Sequence, residues 1–327
     1  FPPKKIIYSG VGKLRHEIEA ALAANIRALH VESAMELDQI AAIASQRQQV
    51  APIGVRVNPD IPVETHPYIS TGAAQHKFGV APETAVTLLH HAAQHPWLQP
   101  VSLAAHLGSQ IHNTAPFTAA ANFLVALADE LASGGIRLDY IDVGGGLGVV
   151  YESEKWQVKS EGIGGWVTAV AAPVQAAGYQ LVVEPGRSIV AAAGVLLTQV
   201  VYTKQQGEKQ FAIVDAAMND LIRPTLYNAH HEILPVEGNL TAKRAGAEIS
   251  YDVVGPICET GDFLAKKRPL PPLTPGALLA VCHAGAYGFA MSSNYNGRLR
   301  PAEVLVDGTT AHLIRQRQTY NHLLDGI

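Results

Sequence analysis

Residues 140–148 read Tyr140-Ile141-Asp142-Val143-Gly144-Gly145-Gly146-Leu147-Gly148, a short strand-type run followed at once by glycines. Glycine lets backbone N–H groups approach an anion closely. A triple glycine alone is as often only a tight turn. The next strand, Tyr179–Glu184, closes on Val183-Glu184-Pro185-Gly186-Arg187, a second glycine turn after an apolar run. The glycine register does not fit the dinucleotide fingerprint G-x-G-x-x-G. Paired glycine turns after consecutive strands suit instead the phosphate-binding loops of a β/α barrel.

Working outward, strands are expected at Lys5–Ser9, Arg27–Val31, Pro52–Asn58, Val101–His106, Tyr140–Val143 and Tyr179–Glu184. Helical patterns lie between them, at Gly12–Ala24, Ala34–Gln48, Pro82–Gln94, Pro116–Ser133 and Gly164–Ala177. Such alternation argues for a parallel sheet. An open doubly wound sheet is one architecture; a (β/α)8 TIM-type barrel lacking its first two strand units is the other. Asn58, His106, Gly144–Gly146 and Glu184 all fall at C-terminal strand ends, where a barrel carries its site, so the barrel is expected. After Gly194 the texture changes to β-type segments: Val195–Tyr202, Gln210–Asp215, Ile249–Val254, Ala277–Val281, Ala302–Val306 and His312–Arg315. A helix is expected only at Tyr320–Leu324. The expected division is a partial cofactor-binding barrel over 1–193 and an all-β domain over 194–327.

The 327 residues are 48% hydrophobic and 16% charged, enough for a sizeable core, with a net charge of −4. No basic stripe suggests nucleic acid, and the apolar runs are too short to span a bilayer. Cys258 and Cys282 form no metal-type pair, and a reducing cytoplasm is the simplest reading. His90, His91 and His95, and the adjacent His230 and His231, lack completing ligands and are expected to be solvated, with no metal site.

Several residues invite chemistry. Glu184 either pairs with Arg187 at the rim or faces a pyridinium nitrogen. His106 offers a flat ring beside Ser109, whose hydroxyl suits a phosphate oxygen. Arg223 and Tyr227 would share one helical face, and an arginine there can clamp a carboxylate. Cys258, Glu259 and Asp262 crowd one turn, which read blandly is a buried thiol and two solvated acids.

Together these motifs resemble the fold-type III pyridoxal-phosphate-dependent decarboxylases, most closely the diaminopimelate decarboxylases. The resemblance runs through Tyr8-Ser9-Gly10-Val11-Gly12-Lys13, His30-Val31-Glu32-Ser33, Val55–Pro59, His76–Gly79, His106–Gln110, the glycine run, Glu184–Arg187, the Arg223 and Cys258 segments, and Ala286-Tyr287-Gly288. It implies conversion of meso-2,6-diaminopimelate to L-lysine, a step of lysine biosynthesis, with pyridoxal 5'-phosphate as cofactor. It implies that His106 stacks on the cofactor ring and that Glu184 meets its nitrogen. Ser109, Gly144, Gly145, Gly146, Pro185, Gly186, Arg187 and Tyr287 would surround the cofactor, chiefly its phosphate. Arg187, Arg223, Tyr227 and Tyr287 would grip the substrate's distal carboxylate, and Glu259 its distal amine. Cys258 would return the proton, reaching the site of the other subunit of a homodimer. The Cys-Glu-Thr-Gly-Asp segment favours diaminopimelate over ornithine or arginine, and a related ornithine, arginine or carboxynorspermidine-type decarboxylase is the alternative within the family.

One departure stands out. The family's Schiff-base lysine lies in a Tyr-Ala-x-Lys-Ala-Asn type motif, and this sequence has none. Lys4, Lys5, Lys13 and Lys77 occupy other positions. With Phe1 in place of a starting methionine, the expectation is an N-terminally truncated chain, inactive as it stands. A catalytically dead cofactor-binding or regulatory subunit is the alternative from another class.

Overall fold

A computed structural model describes residues 1–63, 77–152, 162–236 and 248–326. It divides into two units, Phe1–Gly148 with Lys159–Gly186, and Val149–Val158 with Arg187–Ile327. Residues 187–193, expected with the first domain, fall here with the second unit. The physical reason is a backbone contact: Gly194 accepts from the Ala284 N–H at 2.8 Å, and Ala191 from the Gly285 N–H at 3.2 Å. That contact keeps the short helix at Arg187–Val190 with the second unit.

The first unit holds six strands: β1 (Ile7–Tyr8), β2 (Ala28–Val31), β3 (Ala51–Arg56), β4 (Leu98–Ala104), β5 (Tyr140–Asp142) and β6 (Gln180–Val182). Every neighbouring pair is parallel, and the spatial order is β1-β2-β3-β4-β5-β6. A doubly wound sheet reverses its order at a switch point. This one never does, so it has the connectivity of a barrel wall, as the strand-end residues implied. Helices α1 (Arg15–Ala23), α2 (Ala34–Arg47), α3 (Pro82–Gln94), α4 (Ala115–Ser133) and α5 (Gly162–Ala176) connect the strands.

Burial explains the strand sequences. Strands covered on both sides read as continuous apolar runs, and all four residues of β2 are buried. The helices follow the 3.6-residue period. In α2, Leu37, Ile40, Ile43 and Ala44 are buried, while the Ser33 hydroxyl caps its start by accepting the Glu36 N–H at 3.2 Å. Phe117 of α4 meets Trp166 of α5 edge to face, centroids 5.8 Å apart.

The second unit carries α6 (Arg187–Val190), β7 (Leu196–Gln206), β8 (Lys209–Val214), α7 (Arg223–Tyr227), β9 (Ile233–Pro235), β10 (Ile249–Val254), β11 (Phe263–Leu270) and β12 (Leu278–Val281). Its sheet order is β11-β10-β8-β7-β12-β9. A separate hairpin, β13 (Glu303–Asp307) with β14 (Thr310–Arg315), precedes α8 (Tyr320–Leu324). The unit is mostly β, with the two short helices α6 and α7, and strand β9 lay outside the expected β-type segments. Strand β11 was also missed. Its sequence Phe-Leu-Ala-Lys-Lys-Arg-Pro-Leu hides a strand behind three cations and a proline, at a register irregularity where Lys267 adopts a φ of 50°.

Candidate active site

In the first unit the chemistry gathers where β4, β5 and β6 end. Each glycine of the run is demanded by a close backbone approach. A Cβ on Gly144 would fall 2.5 Å from the Ala105 carbonyl oxygen, on Gly145 2.1 Å from that of Glu184, and on Gly146 2.2 Å from that of Gly108. The turn is thus wedged between the loops after β4 and β6. Two of its N–H groups are used locally: Gly144 donates to Asp142 Oδ1 at 2.9 Å and Gly145 to His106 Nδ1 at 3.0 Å. The run therefore shapes the rim first, and those two donors do not face an anion.

That bond fixes the His106 tautomer. With Nδ1 accepting, the hydrogen sits on Nε2. Burial, then Arg56, pushes its pKa down to about 4, so the ring is neutral. It is half-buried at the end of β4. Ser109 and Gln110 follow in the same turn.

Glu184 is exposed, just beyond β6. Behind it lies a polar chain that sequence reading did not connect. The Ser9 hydroxyl donates to Glu184 Oε1 at 3.3 Å, so its oxygen accepts from His30 Nδ1 at 3.0 Å. His30 Nε2 then accepts from the Tyr140 and Ser102 hydroxyls at 3.0 and 3.2 Å. His30 is fully buried, and burial holds its pKa near 3. The donor atoms of His30, Asp142 and Glu184 lie within 4.8 Å of one another. Asp142 is buried, and among the described residues its Oδ2 has no hydrogen-bond partner within ordinary distance. Burial, then Glu184, raises its pKa to about 7.

The ammonium of Lys13, by contrast, is fully committed. It donates to Gly10 O and His30 O, each at 2.6 Å, and to Glu36 Oε1 at 2.9 Å.

In the second unit a cationic cluster forms around Tyr151, a residue the sequence did not single out. Arg187 is buried and its Nη1 donates to the Tyr151 hydroxyl at 2.8 Å. Its guanidinium also lies 4.8 Å from the centroid of Tyr287, a half-exposed residue with a φ of 62°. Arg223 is 4% exposed and sits over Tyr151 at 4.7 Å. Its Nη1 donates to His231 Nε2 at 2.7 Å. Among the described residues no carboxylate pairs with Arg223. Burial lowers its pKa and Arg187 adds to the effect. The helix expected at this segment forms as α7, with Arg223 and Tyr227 at its two ends. The expectation for His231 is overturned. It is not solvated but fully buried, because the β9–β12 pairing carries it inward.

The turn at 255–262 is built by Asp262. Its carboxylate accepts N–H bonds from Met218 and Ile257, both at 2.7 Å, and the side chain is buried, not solvated. Cys258 and Glu259 stand exposed on the same turn, and Tyr295 donates to Glu259 Oε2 at 2.6 Å. The bland reading of a buried thiol at Cys258 does not hold, since the turn pins Asp262 inward and leaves Cys258 exposed.

These residues fit pyridoxal phosphate. A neutral, half-buried imidazole and an exposed carboxylate with a buried acid behind it flank Gly145, where even a methyl group would collide. The second unit holds two buried arginines, Arg187 and Arg223.

Residues 1–191 match the family described as pyridoxal-dependent decarboxylase, pyridoxal binding domain. The chain is 48% identical over 324 residues to a diaminopimelate decarboxylase of Pseudomonas aeruginosa, covering 99% of this chain and 76% of that protein. It is 44% identical to the Aquifex aeolicus enzyme of the same name, covering 99% and 75%. Its structure is similar to that of Helicobacter pylori diaminopimelate decarboxylase complexed with L-lysine. The TM-score is 0.92 at 40% identity, over 98% of this chain and 78% of that one.

Proposed function

This chain belongs to the pyridoxal-dependent decarboxylase family, and we propose that it serves the conversion of meso-2,6-diaminopimelate to L-lysine. One observation carries the choice of substrate: the buried Arg223 guanidinium has no carboxylate partner among the described residues. An uncompensated buried charge is costly. It is explained if a substrate carboxylate completes it. Ornithine and arginine have no second carboxylate to offer.

When bound, pyridoxal phosphate supplies an electron sink for the pair left by departing carbon dioxide. The protein's part follows from its own groups. His106, held by Gly145, presents a neutral ring face. Glu184 accepts from the Ser9 hydroxyl and stands at the strand end, where its carboxylate suits a protonated ring nitrogen. Ser109, Gly146, Pro185, Gly186 and Tyr287 are assigned to the cofactor's surroundings. Arg223, with Arg187 and Tyr227, orients the distal carboxylate, and Glu259 takes the distal amine. Cys258 is assigned the return of a proton to the carbon that lost its carboxylate, an assignment that its exposure supports. Exposure of both Cys258 and Glu259 also suits donation to a second copy, and we propose a homodimer with shared sites. Both cysteines are free thiols, in keeping with a reducing cytoplasm.

The assay is lysine formation from meso-2,6-diaminopimelate by the product of the whole reading frame, supplied with pyridoxal phosphate. A panel of ornithine, arginine and carboxynorspermidine runs beside it. Faster turnover of any of those three would overturn the substrate assignment.

A further inference from the structure

His231 lies at the base of the cationic cluster, and the sheet register decides its orientation. It lies two residues before β9, and Cys282 directly follows β12. The two strands pair antiparallel, with Ile233 opposite Val281. The Cys282 N–H bonds back to Glu232 O at 2.8 Å. His231 Nδ1 consequently meets the Cys282 carbonyl oxygen at 2.8 Å. A carbonyl only accepts, so Nδ1 carries the hydrogen and Nε2 keeps its lone pair. That lone pair takes the Arg223 Nη1–H at 2.7 Å. The ring is locked further by Tyr151, edge on at 5.0 Å.

We infer that His231 is a specificity-determining positioning residue, whose neutral imidazole holds the Arg223 guanidinium in place without neutralising it. The inference rests on the reading of Arg223 as the anchor for the distal carboxylate. A buried arginine is ordinarily held by a carboxylate, which fixes it but cancels its charge. An imidazole lone pair gives the same positional hold and leaves the full charge for an incoming anion. The fork geometry of guanidinium then leaves other N–H groups for the substrate. The ring has no room to become a cation. Burial drives its pKa to about 3, and Arg223, His230 and His283 all disfavour a second charge there.

The test compares wild type with His231→Gln, His231→Leu and His231→Glu. Each is the product of the whole reading frame, with pyridoxal phosphate. Steady-state kinetics are measured on meso-2,6-diaminopimelate. Calorimetric titrations of the cofactor-free protein compare diaminopimelate with D-lysine, which keeps the carboxylate on the reacting carbon and lacks the distal one. Thermal melting confirms that each variant folds. Gln places an acceptor near the Nε2 position and is expected to restore most of the wild-type preference. Leu and Glu are expected to raise KM for diaminopimelate about tenfold or more with kcat within about twofold, the pattern of lost uniform binding. Glu loses the preference over D-lysine altogether, because it neutralises Arg223. A wild type that does not favour diaminopimelate over D-lysine would sink the Arg223 reading and this inference with it. A wild type that does, beside a folded His231→Glu that discriminates equally well, would sink the inference alone.

Discussion

The most exacting check of the rim geometry is Gly145→Ala. An ideal Cβ there falls 2.1 Å from the Glu184 carbonyl oxygen and 2.9 Å from its carbonyl carbon. Both are backbone atoms, so no side chain can swing aside. Gly145 is not among the glycines with positive φ, so alanine meets no conformational strain and the effect is steric alone. The shortfall from ordinary contact is roughly 1 Å or more. The Glu184 N–H bond to Gly144 O, 2.9 Å long, resists the required separation. Overpacking of this kind costs ~1–3 kcal/mol. For a unit of this size each kcal/mol moves Tm by roughly 2–4 °C, so a fall of about 2–12 °C is expected. The same shift carries the Glu184 carboxylate out of place, and an error near 1 Å in a reacting group can cost ~100-fold in rate. Differential scanning calorimetry and a spectroscopic titration with pyridoxal phosphate read both effects. Gly164→Ala is the control. It lies in α5 with nothing within 4 Å of its Cβ position, and should gain up to ~1 kcal/mol. The reasoning fails if Gly145→Ala melts and binds cofactor like wild type.

Asp142 gives a pH signature. Its pKa rises from 3.8 to about 7 on folding, through burial and the nearby Glu184, with the Gly144 N–H and Arg56 opposing and buried His30 on its other side. A raised carboxyl contributes stability that is complete below about pH 4 and is lost as pH climbs through about 7. Asp142→Asn should flatten that decline, seen as a Tm difference from wild type that changes between pH 4 and 8; parallel Tm curves would refute it. Asp262→Ala leaves the Met218 and Ile257 N–H groups without their acceptor and should cost about 3 kcal/mol; a denaturation midpoint unmoved by the change would count against the turn's account. Of the two thiols, exposed Cys258 should react quickly with a disulfide reagent. Cys282 should lag, being half-buried with a thiol pKa pushed up by burial; equal rates would contradict this.

The first unit was nearly all legible because its rules are local. Two-sided burial makes strands such as Ala28–Val31 apolar throughout, and helices such as Ala34–Arg47 advertise their period and their Ser33 cap. The strand-end residues His106, Gly144–Gly146 and Glu184 also marked the rim, since a parallel barrel wall has one chemical end. In the second unit antiparallel pairing hid β11 behind Lys266, Lys267, Arg268 and Pro269, which a strand edge tolerates and a pattern search rejects.

Other features had no local signature at all. The glycine run read as an anion cradle, yet its first two N–H groups serve Asp142 and His106, and its glycines answer to carbonyls on neighbouring loops. Nothing near Ser9 or His30 in the chain announces that they stand behind Glu184, 175 residues beyond Ser9. Nothing near His231 announces burial; a register between β9 and β12 turned it inward. The sequence by itself determined the strand-helix order and the kinds of group at the strand ends, since periodicity and composition act over a few residues. Only the tertiary structure decided which of those groups keep their charge, because desolvation and hydrogen-bond partners come from residues distant in the chain.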